Sequence, residues 1–348
     1  MTETDGVIEM AGETGKGIHL SAFQIKPTGH GGNYRSFQIS NLPRVEFCDS
    51  LHIDPRAIFA SHRFKFFCHL LRNFFRLFSI HPKVSLKFEL AKFIVRELKL
   101  AGYTKFYVEQ ASNFSMFIAY ELSQQASLTE LFPHNVEFLV GDQVFSDESI
   151  IFPMLINTIK MADKVSCISE FDTSILRVLN NSVETVRYEL PDQVIKQRDI
   201  AIAEAKVGSF DIIRKLELVD VKFGFSFGSM MNPPTLSGME SLAKLFHQGK
   251  FGDLDALVVA GRGSEKLKIA VDDPNIRILD FVSDRELFEL MEKAHAILIY
   301  QRPTSGWLTK LNYIESYLGK TFLNDSYSQG REIAGSDIKY YSDRALKC

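Results

Sequence analysis

The sequence predicts an α/β protein built from doubly wound parallel sheets, on three observations. From Lys222 to Asp325 short apolar runs alternate with amphipathic segments, the rhythm of β-α-β units. Gly, Ser, Arg or Lys stand just after those runs, where open α/β sheets offer helix N-termini and tight turns to anions. The chain's 348 residues, 45% of them hydrophobic, exceed one compact core and suit two domains of roughly 150 to 200 residues each.

Along the chain, residues 1–17 are acidic and rich in Gly and Thr, and read as a flexible tail. A first Rossmann-like unit follows over 18–190. Its expected strands are Ile18–Ile25, Val45–Cys48, Lys105–Glu109, Val136–Gly141 and Lys164–Ser169. Its expected helices are Asn33–Leu42, Ser61–Phe78, Val84–Leu100, Phe114–Gln125, Glu148–Met161 and Phe171–Leu179. Residues 191–220 are charged and poorly patterned and read as a linker with a connecting helix. The second unit, 221–348, has the cleaner pattern, with strands Lys222–Phe227, Ala256–Ala260, Ile276–Leu279, Ala296–Tyr300 and Thr321–Asn324 and helices starting near Thr235, Ser264, Ser283 and Trp307.

A formal net charge of −3 gives no global cationic field, so charge alone does not predict a polyanion partner. The four cysteines lack CxxC or Cys/His spacing and read as reduced thiols, not a disulfide framework or zinc site. No Asp-x-Asp in a strand context and no His cluster at ligand spacing occurs, so no metal or other cofactor is expected. His52, His134, His247 and His295 read as structural. With no signal-like start and no run of the ~18 apolar residues that a bilayer requires, a cytoplasmic location is expected.

Several positions carry candidate chemistry. Gly29, Gly31 and Gly32 lie between an expected strand and helix, beside Lys26, His30, Asn33 and Arg35, as close backbone approach to a phosphate or sugar requires. Asp142 directly follows the expected strand Val136–Gly141, at a strand's carboxyl end where the catalytic groups of α/β proteins collect. Arg262 and Lys266 follow Ala256–Ala260, and Lys310 opens a later helix; cations there suit a phosphate-bearing ligand. Ser226, Gly228 and Ser305 are hydrogen-bonding or close-approach positions on the same side.

The order of these features resembles the GT-B glycosyltransferases. HLSAFQIKPTGHGGNYRSFQI is similar to the first strand, glycine loop and helix of that family, and DALVVAGRGSEKL through NIRILDFVSDREL to the Ser-Gly loop is similar to its donor half. The resemblance implies two Rossmann-like domains facing a cleft and a donor half that holds a nucleotide-diphosphate sugar. Of the family's two glutamates eight positions apart, this chain keeps only Glu315, implied to take a ribose; Trp307 stands at the first. Gly141 stands where the family often has histidine, and Gly228-Ser229-Met230 lacks the family's usual Arg or Lys. The implied function is transfer of a sugar to an acceptor hydroxyl in cell-surface or lipid-linked glycan synthesis. Alternatives are a phage-type DNA base glucosyltransferase and a non-catalytic partner subunit. The basic, aromatic residues 61–99, with Arg63, Lys65, Arg72, Arg76, Lys83, Lys87, Lys92, Arg96 and Lys99, fit an anionic membrane face or DNA phosphates.

Overall fold

The computed structural model describes residues 15–26, 31–72, 82–110, 113–134, 148–207, 211–270, 273–300, 310–324 and 339–341. They form two six-stranded sheets, parallel throughout. The first runs β2-β1-β3-β4-β5-β6, from β1 (Lys16–Ser21), β2 (Asp49–His52), β3 (Tyr103–Gln110), β4 (Leu128–Pro133), β5 (Lys164–Cys167) and β6 (Val183–Thr185). The second runs β12-β11-β10-β7-β8-β9, from β7 (Phe223–Phe227), β8 (Ala256–Ala260), β9 (Ile276–Leu279), β10 (Ala296–Ile299), β11 (Thr321–Asn324) and β12 (Lys339–Tyr341).

In each sheet the strand order reverses once, between β1 and β3 and between β7 and β10. At such a reversal the connecting loops diverge and leave a crevice outside the carboxyl ends of the strands. The central strands are buried on both faces, as in parallel sheets generally: every residue of β8, ALVVA, is buried, whereas the edge strand β2 is largely exposed.

Helices cover both faces of the first sheet: Ile39 packs with Tyr107 and Phe132 on one, and Phe93 and Val95 with Phe106 and Val108 on the other. α1 (Gly31–Ser40) leaves the end of β1, and α2 (Pro55–Arg72) and α3 (Pro82–Leu100) pack as a pair beside the first sheet. The first core joins Leu20, Phe106, Val108 and Leu131 of the strands to Phe93 and Val95 of α3 and to Phe117 and Leu122 of α4 (Asn113–Gln124). α5 (Glu148–Met161) and α6 (Glu170–Leu176) complete this half. Ser169 caps α6 by accepting from the Asp172 amide at 3.1 Å.

The stretch 191–220 holds α7 (Asp192–Val207) and α8 (Asp211–Lys215). Ala201, Ile202 and Ala205 of α7 pack with Phe288, Leu290 and Met291 of α11 (Asp284–Lys293), so this segment belongs to the second core. α9 (Pro233–His247), α10 (Glu265–Ala270) and α12 (Lys310–Tyr313) complete the second half. The halves meet through Tyr34, Tyr188, Leu190 and Val194, against which Tyr313 packs. Asn312 Nδ2 donates to the Tyr188 carbonyl across the same seam at 3.3 Å.

One expected strand is replaced by turns, and one observed strand lies outside the expected set. Val45–Cys48 is a pair of turns, with the Val45 amide bonded to the Leu42 carbonyl and the Cys48 amide to that of Val45. Val45 is apolar because it is buried with Ile39, Tyr107 and Phe132 under the sheet, and the strand starts at Asp49. Between β3 and β5 the strand is Leu128–Pro133, while Val136–Gly141 lies outside the described residues. Glu130 interrupts the apolar run of β4 and hid it. Arg44 grips that carboxylate with two hydrogen bonds of 2.6 and 2.7 Å, which makes its burial tolerable. The helix expected near Trp307 is described only from Lys310, and a 3-10 turn, Glu315–Lys320, follows it.

Candidate functional site

At the carboxyl ends of β1, β3 and β4 a buried polar network is assembled around Glu109. Its carboxylate accepts from His19 Nε2 (2.7 Å), Ser36 Oγ of α1 (2.6 Å), His134 Nε2 (3.2 Å) and the Ala22 amide (3.4 Å). Burial works to raise the carboxyl's pKa, but the hydrogen bonds from His134 and His19 outweigh it and hold the group at about 2. Glu109 is therefore an anion, and the Nε2 of each imidazole faces it as a hydrogen-bond donor.

His134 stands immediately after β4, its amide donating to the Gln110 carbonyl at 2.9 Å. Glu109 and His19 have no exposed side-chain surface, whereas His134 retains 12%. The network thus presents an oriented histidine at the end of the sheet. Phe23, in the loop after β1, packs its ring 5.4 Å from that of His134. A side chain at Gly32 would lie 2.8 Å from the Phe23 ring, so glycine there lets α1 start directly under it.

At the carboxyl ends of β7 and β8 two loops interlock through their backbones. Gly228 and Gly261 have φ of +149° and +158°, and a Cβ at Gly261 would fall 1.8 Å from the Gly228 carbonyl oxygen. The Gly228 amide donates to the Ala260 carbonyl at 3.0 Å and the Met230 amide to that of Arg262 at 2.8 Å. The Gly263 amide donates to Asp280 Oδ1 at 3.1 Å, tying in the end of β9.

Lys310, first residue of α12, reaches this corner: its ammonium donates to the Phe227 carbonyl at 3.4 Å and lies 3.6 Å from where a Gly228 Cβ would be. Burial pulls the ammonium down to about 8, and no carboxylate among the described residues pairs with it. No other charge stands in the loop from Gly228 to Asn232, and α9 opens with Pro233-Pro234, which have no N–H to offer. The positive charge at this strand end therefore comes from Lys310.

The remaining expected residues are scattered about these centres. Gly31 opens α1. Ser226 is buried inside β7, on the sheet rather than at its mouth. Arg262 and Lys266 are exposed on the loop and first turn after β8. Glu315 is mostly exposed and pairs with Arg198 of α7 at 3.3 Å. Asp142, Ser305, Gly29 and Trp307 lie outside the described residues. Among the described residues no group of three or more His, Cys, Asp or Glu side chains is arranged to hold a metal.

The Glu109 network was not foreseen. Its signal was present as a glutamate closing a strand (Phe106-Tyr107-Val108-Glu109) and a histidine in mid-strand at position 19, both in buried-strand contexts where an ionisable residue needs a partner.

No protein-family model matches the chain, and no curated protein matches it in sequence. Solved structures match in fold. A UDP-forming α,α-trehalose-phosphate synthase from Burkholderia vietnamiensis superposes with a TM-score of 0.62 at 11% identity, over 94% of this chain and 86% of that one. An E. coli trehalose-6-phosphate structure bound with UDP-2-fluoro glucose gives 0.59 at 10% identity, over 93% and 88%. Sucrose-phosphate synthase from Thermosynechococcus elongatus gives 0.56 at 12%, over 90% and 82%. These are GT-B enzymes with two Rossmann-like domains, and this chain has their fold.

Proposed function

We propose that the protein is a glycosyltransferase that moves a sugar from a nucleotide-diphosphate sugar to an acceptor hydroxyl. The observation that carries the proposal is the half-buried ammonium of Lys310, unpaired among the described residues, at the carboxyl end of β7 beside the reversal of strand order. A buried cation without a counter-ion is costly unless an anion arrives to meet it. The crevice at the sheet reversal, which Gly228 borders at the end of β7, suits a diphosphate.

In this reading the acceptor oxygen bonds to the anomeric carbon as that carbon's bond to the diphosphate oxygen breaks. Lys310 meets the charge that develops on the departing diphosphate, and Arg262 and Lys266 add exposed cations nearby. The acceptor's proton passes to a base, for which Asp142, eight residues beyond His134, is the candidate. His134, held by the Glu109 anion, orients sugar hydroxyls from the opposite sheet. Glu315 and Ser305 are assigned to the donor's ribose and phosphates, and Gly31 and Gly32 to the close approach of α1.

The neighbours that bind or form UDP compounds support a uridine nucleotide as the first donor to try. For the acceptor we propose a cell-surface glycan or its lipid-linked precursor, supported by the basic, aromatic character of residues 61–99. The test is incubation with a panel of nucleotide-diphosphate sugars and candidate acceptors, reading release of nucleoside diphosphate. Release that needs an acceptor and is lost in Lys310→Met is expected; no release from any donor would sink the reading.

A further inference from the structure

From Pro55 to Phe88 the chain has no Asp or Glu and seven Lys or Arg, in a protein whose formal net charge is −3. The same stretch holds eight of the chain's 29 phenylalanines. Cationic charge and aromatic surface are therefore gathered in one place.

The structure shows how α2 uses them. One face is anchored: Phe66 and His69 are buried against Phe93 of α3, with ring centroids 5.7 and 5.8 Å away. Toward solvent the helix leaves Phe64 79%, Phe67 57% and Phe59 42% exposed, the Phe59 ring edge-on to that of Phe66 at 5.8 Å. Together with Arg63, Phe66 and Leu70 these three line an open apolar cleft of about 420 Å³. A helix already anchored through Phe66 and His69 has no folding reason to leave three more phenylalanines exposed beside them. Arg63, in the wall of the cleft, is exposed and has no carboxylate partner among the described residues, whereas the neighbouring Lys65 reaches Glu97 at 3.6 Å.

We propose that this face of α2 docks on an anionic lipid surface, with Phe59, Phe64 and Phe67 entering the boundary between headgroups and acyl chains and Arg63 meeting lipid phosphates. The choice of occupant rests on charge complementarity. A second copy would set the same cationic stretch against itself, whereas an anionic bilayer compensates it and takes up the aromatic rings at once. α2 is kinked at His62 (φ −122°), between Phe59 and the Phe64–Phe67 turn. No helix among the described residues is long and apolar enough to cross a membrane, so the contact is peripheral. The proposal deepens the glycosyltransferase reading by placing its acceptor at a lipid surface, and rests on that reading for the acceptor alone.

The experiment is flotation of the whole chain with vesicles of phosphatidylcholine alone or with added phosphatidylglycerol, without sugar donor. Expected is recovery with the anionic vesicles only, falling at least tenfold in Phe64→Ser/Phe67→Ser and in Arg63→Glu, and weakening as salt rises. Because all three side chains are exposed, the variants should keep the wild-type melting temperature and nucleotide affinity. Absence of flotation at low salt, or undiminished flotation in the variants, overturns the proposal. So does concentration-dependent dimerisation of the wild type that the phenylalanine variant abolishes, or duplex DNA retention that Arg63→Glu removes while vesicle binding persists. Loss of nucleotide binding in the wild type, by contrast, would sink the glycosyltransferase reading and leave the lipid surface standing.

Discussion

The two strand-end centres are electrostatic opposites. Around Glu109 a buried anion meets donors from four residues and has its charge met without any ligand, while His19 Nδ1 behind it is buried with no hydrogen-bond partner among the described residues. Around Lys310 a half-buried cation has one carbonyl among the described residues, at 3.4 Å, and is incomplete. A satisfied network rigidifies what it touches, here the ring of His134, while an unsatisfied charge is a place where a ligand adds free energy. The same fold has thus set an orienting centre in one half and an anion-seeking centre in the other.

The largest effect should come from breaking the satisfied centre. Glu109→Ala orphans His19, Ser36 and His134 in a buried setting and is expected to cost about 3 to 5 kcal/mol in urea unfolding. Glu109→Gln, which keeps the shape, should cost less. The carboxyl falls from its ordinary 4.5 to about 2 on folding, so its contribution is present above pH 4.5 and lost as pH drops through the folded value. That contribution is about 3 kcal/mol, and the acid limb of the stability profile between pH 4.5 and 2 should flatten in Glu109→Gln. An unchanged limb would mean that Glu109 is not the buried anion.

Next comes the interlock beneath Lys310. Gly261→Ala drives a methyl into the Gly228 carbonyl and requires a φ that L side chains rarely adopt. A loss of about 2 to 3 kcal/mol in thermal or urea unfolding, accompanied by weaker nucleotide binding, is expected. Wild-type stability would show that the two loops part easily.

Breaking the unsatisfied centre should behave differently. Lys310→Met removes a buried charge, so stability should hold or rise while nucleoside diphosphate affinity falls by about 1.5 to 3 kcal/mol in calorimetry. A drop in both together would make Lys310 a structural residue. At the smallest end, Glu315→Ala should change stability by under about 1 kcal/mol, since its pair with Arg198 is largely exposed. Donor affinity should fall by about 1 kcal/mol if the carboxylate takes a ribose. Unchanged affinity would leave it as Arg198's partner alone.

The same contrast explains how much was legible in the sequence. In the second half β8 and β10 are uninterrupted apolar runs and β7 and β9 are broken only by Ser226 and Arg277, so the expected Lys222–Phe227, Ala256–Ala260 and Ile276–Leu279 meet strands at Phe223–Phe227, Ala256–Ala260 and Ile276–Leu279. In the first half the strands carry ionisable residues: Glu130 in β4 and His19 in β1 break the apolar run, and the partners that make this tolerable are remote in sequence. Arg44 lies 86 residues from Glu130, and Glu109 lies 90 from His19 and 73 from Ser36. Local pattern does not carry such pairings. Lys310 was recognisable as a cation near a strand end, but its arrival at Phe227, 83 residues away, depends on α12 returning to the sheet reversal. The aromatic surplus of α2 was visible as composition, whereas the face that it leaves bare depended on knowing that Phe66 and His69 are the residues that turn inward.

The most direct test of an anion site built on Lys310 is calorimetric titration of the wild type and Lys310→Met with UDP and UDP-sugars from about pH 7 to 9.5, spanning the depressed ammonium pKa. The ammonium is half deprotonated near pH 8, so wild-type affinity should be full at about pH 7 and fall as pH rises through 8, with no such fall in the variant. Stability should move the other way: folding lowers this pKa, the unfolded chain binds more protons above 8, and the wild type should gain stability there toward pH 10.5. Nucleotide affinity that is equal in the two proteins and indifferent to pH across this range would contradict a phosphate site at the end of β7.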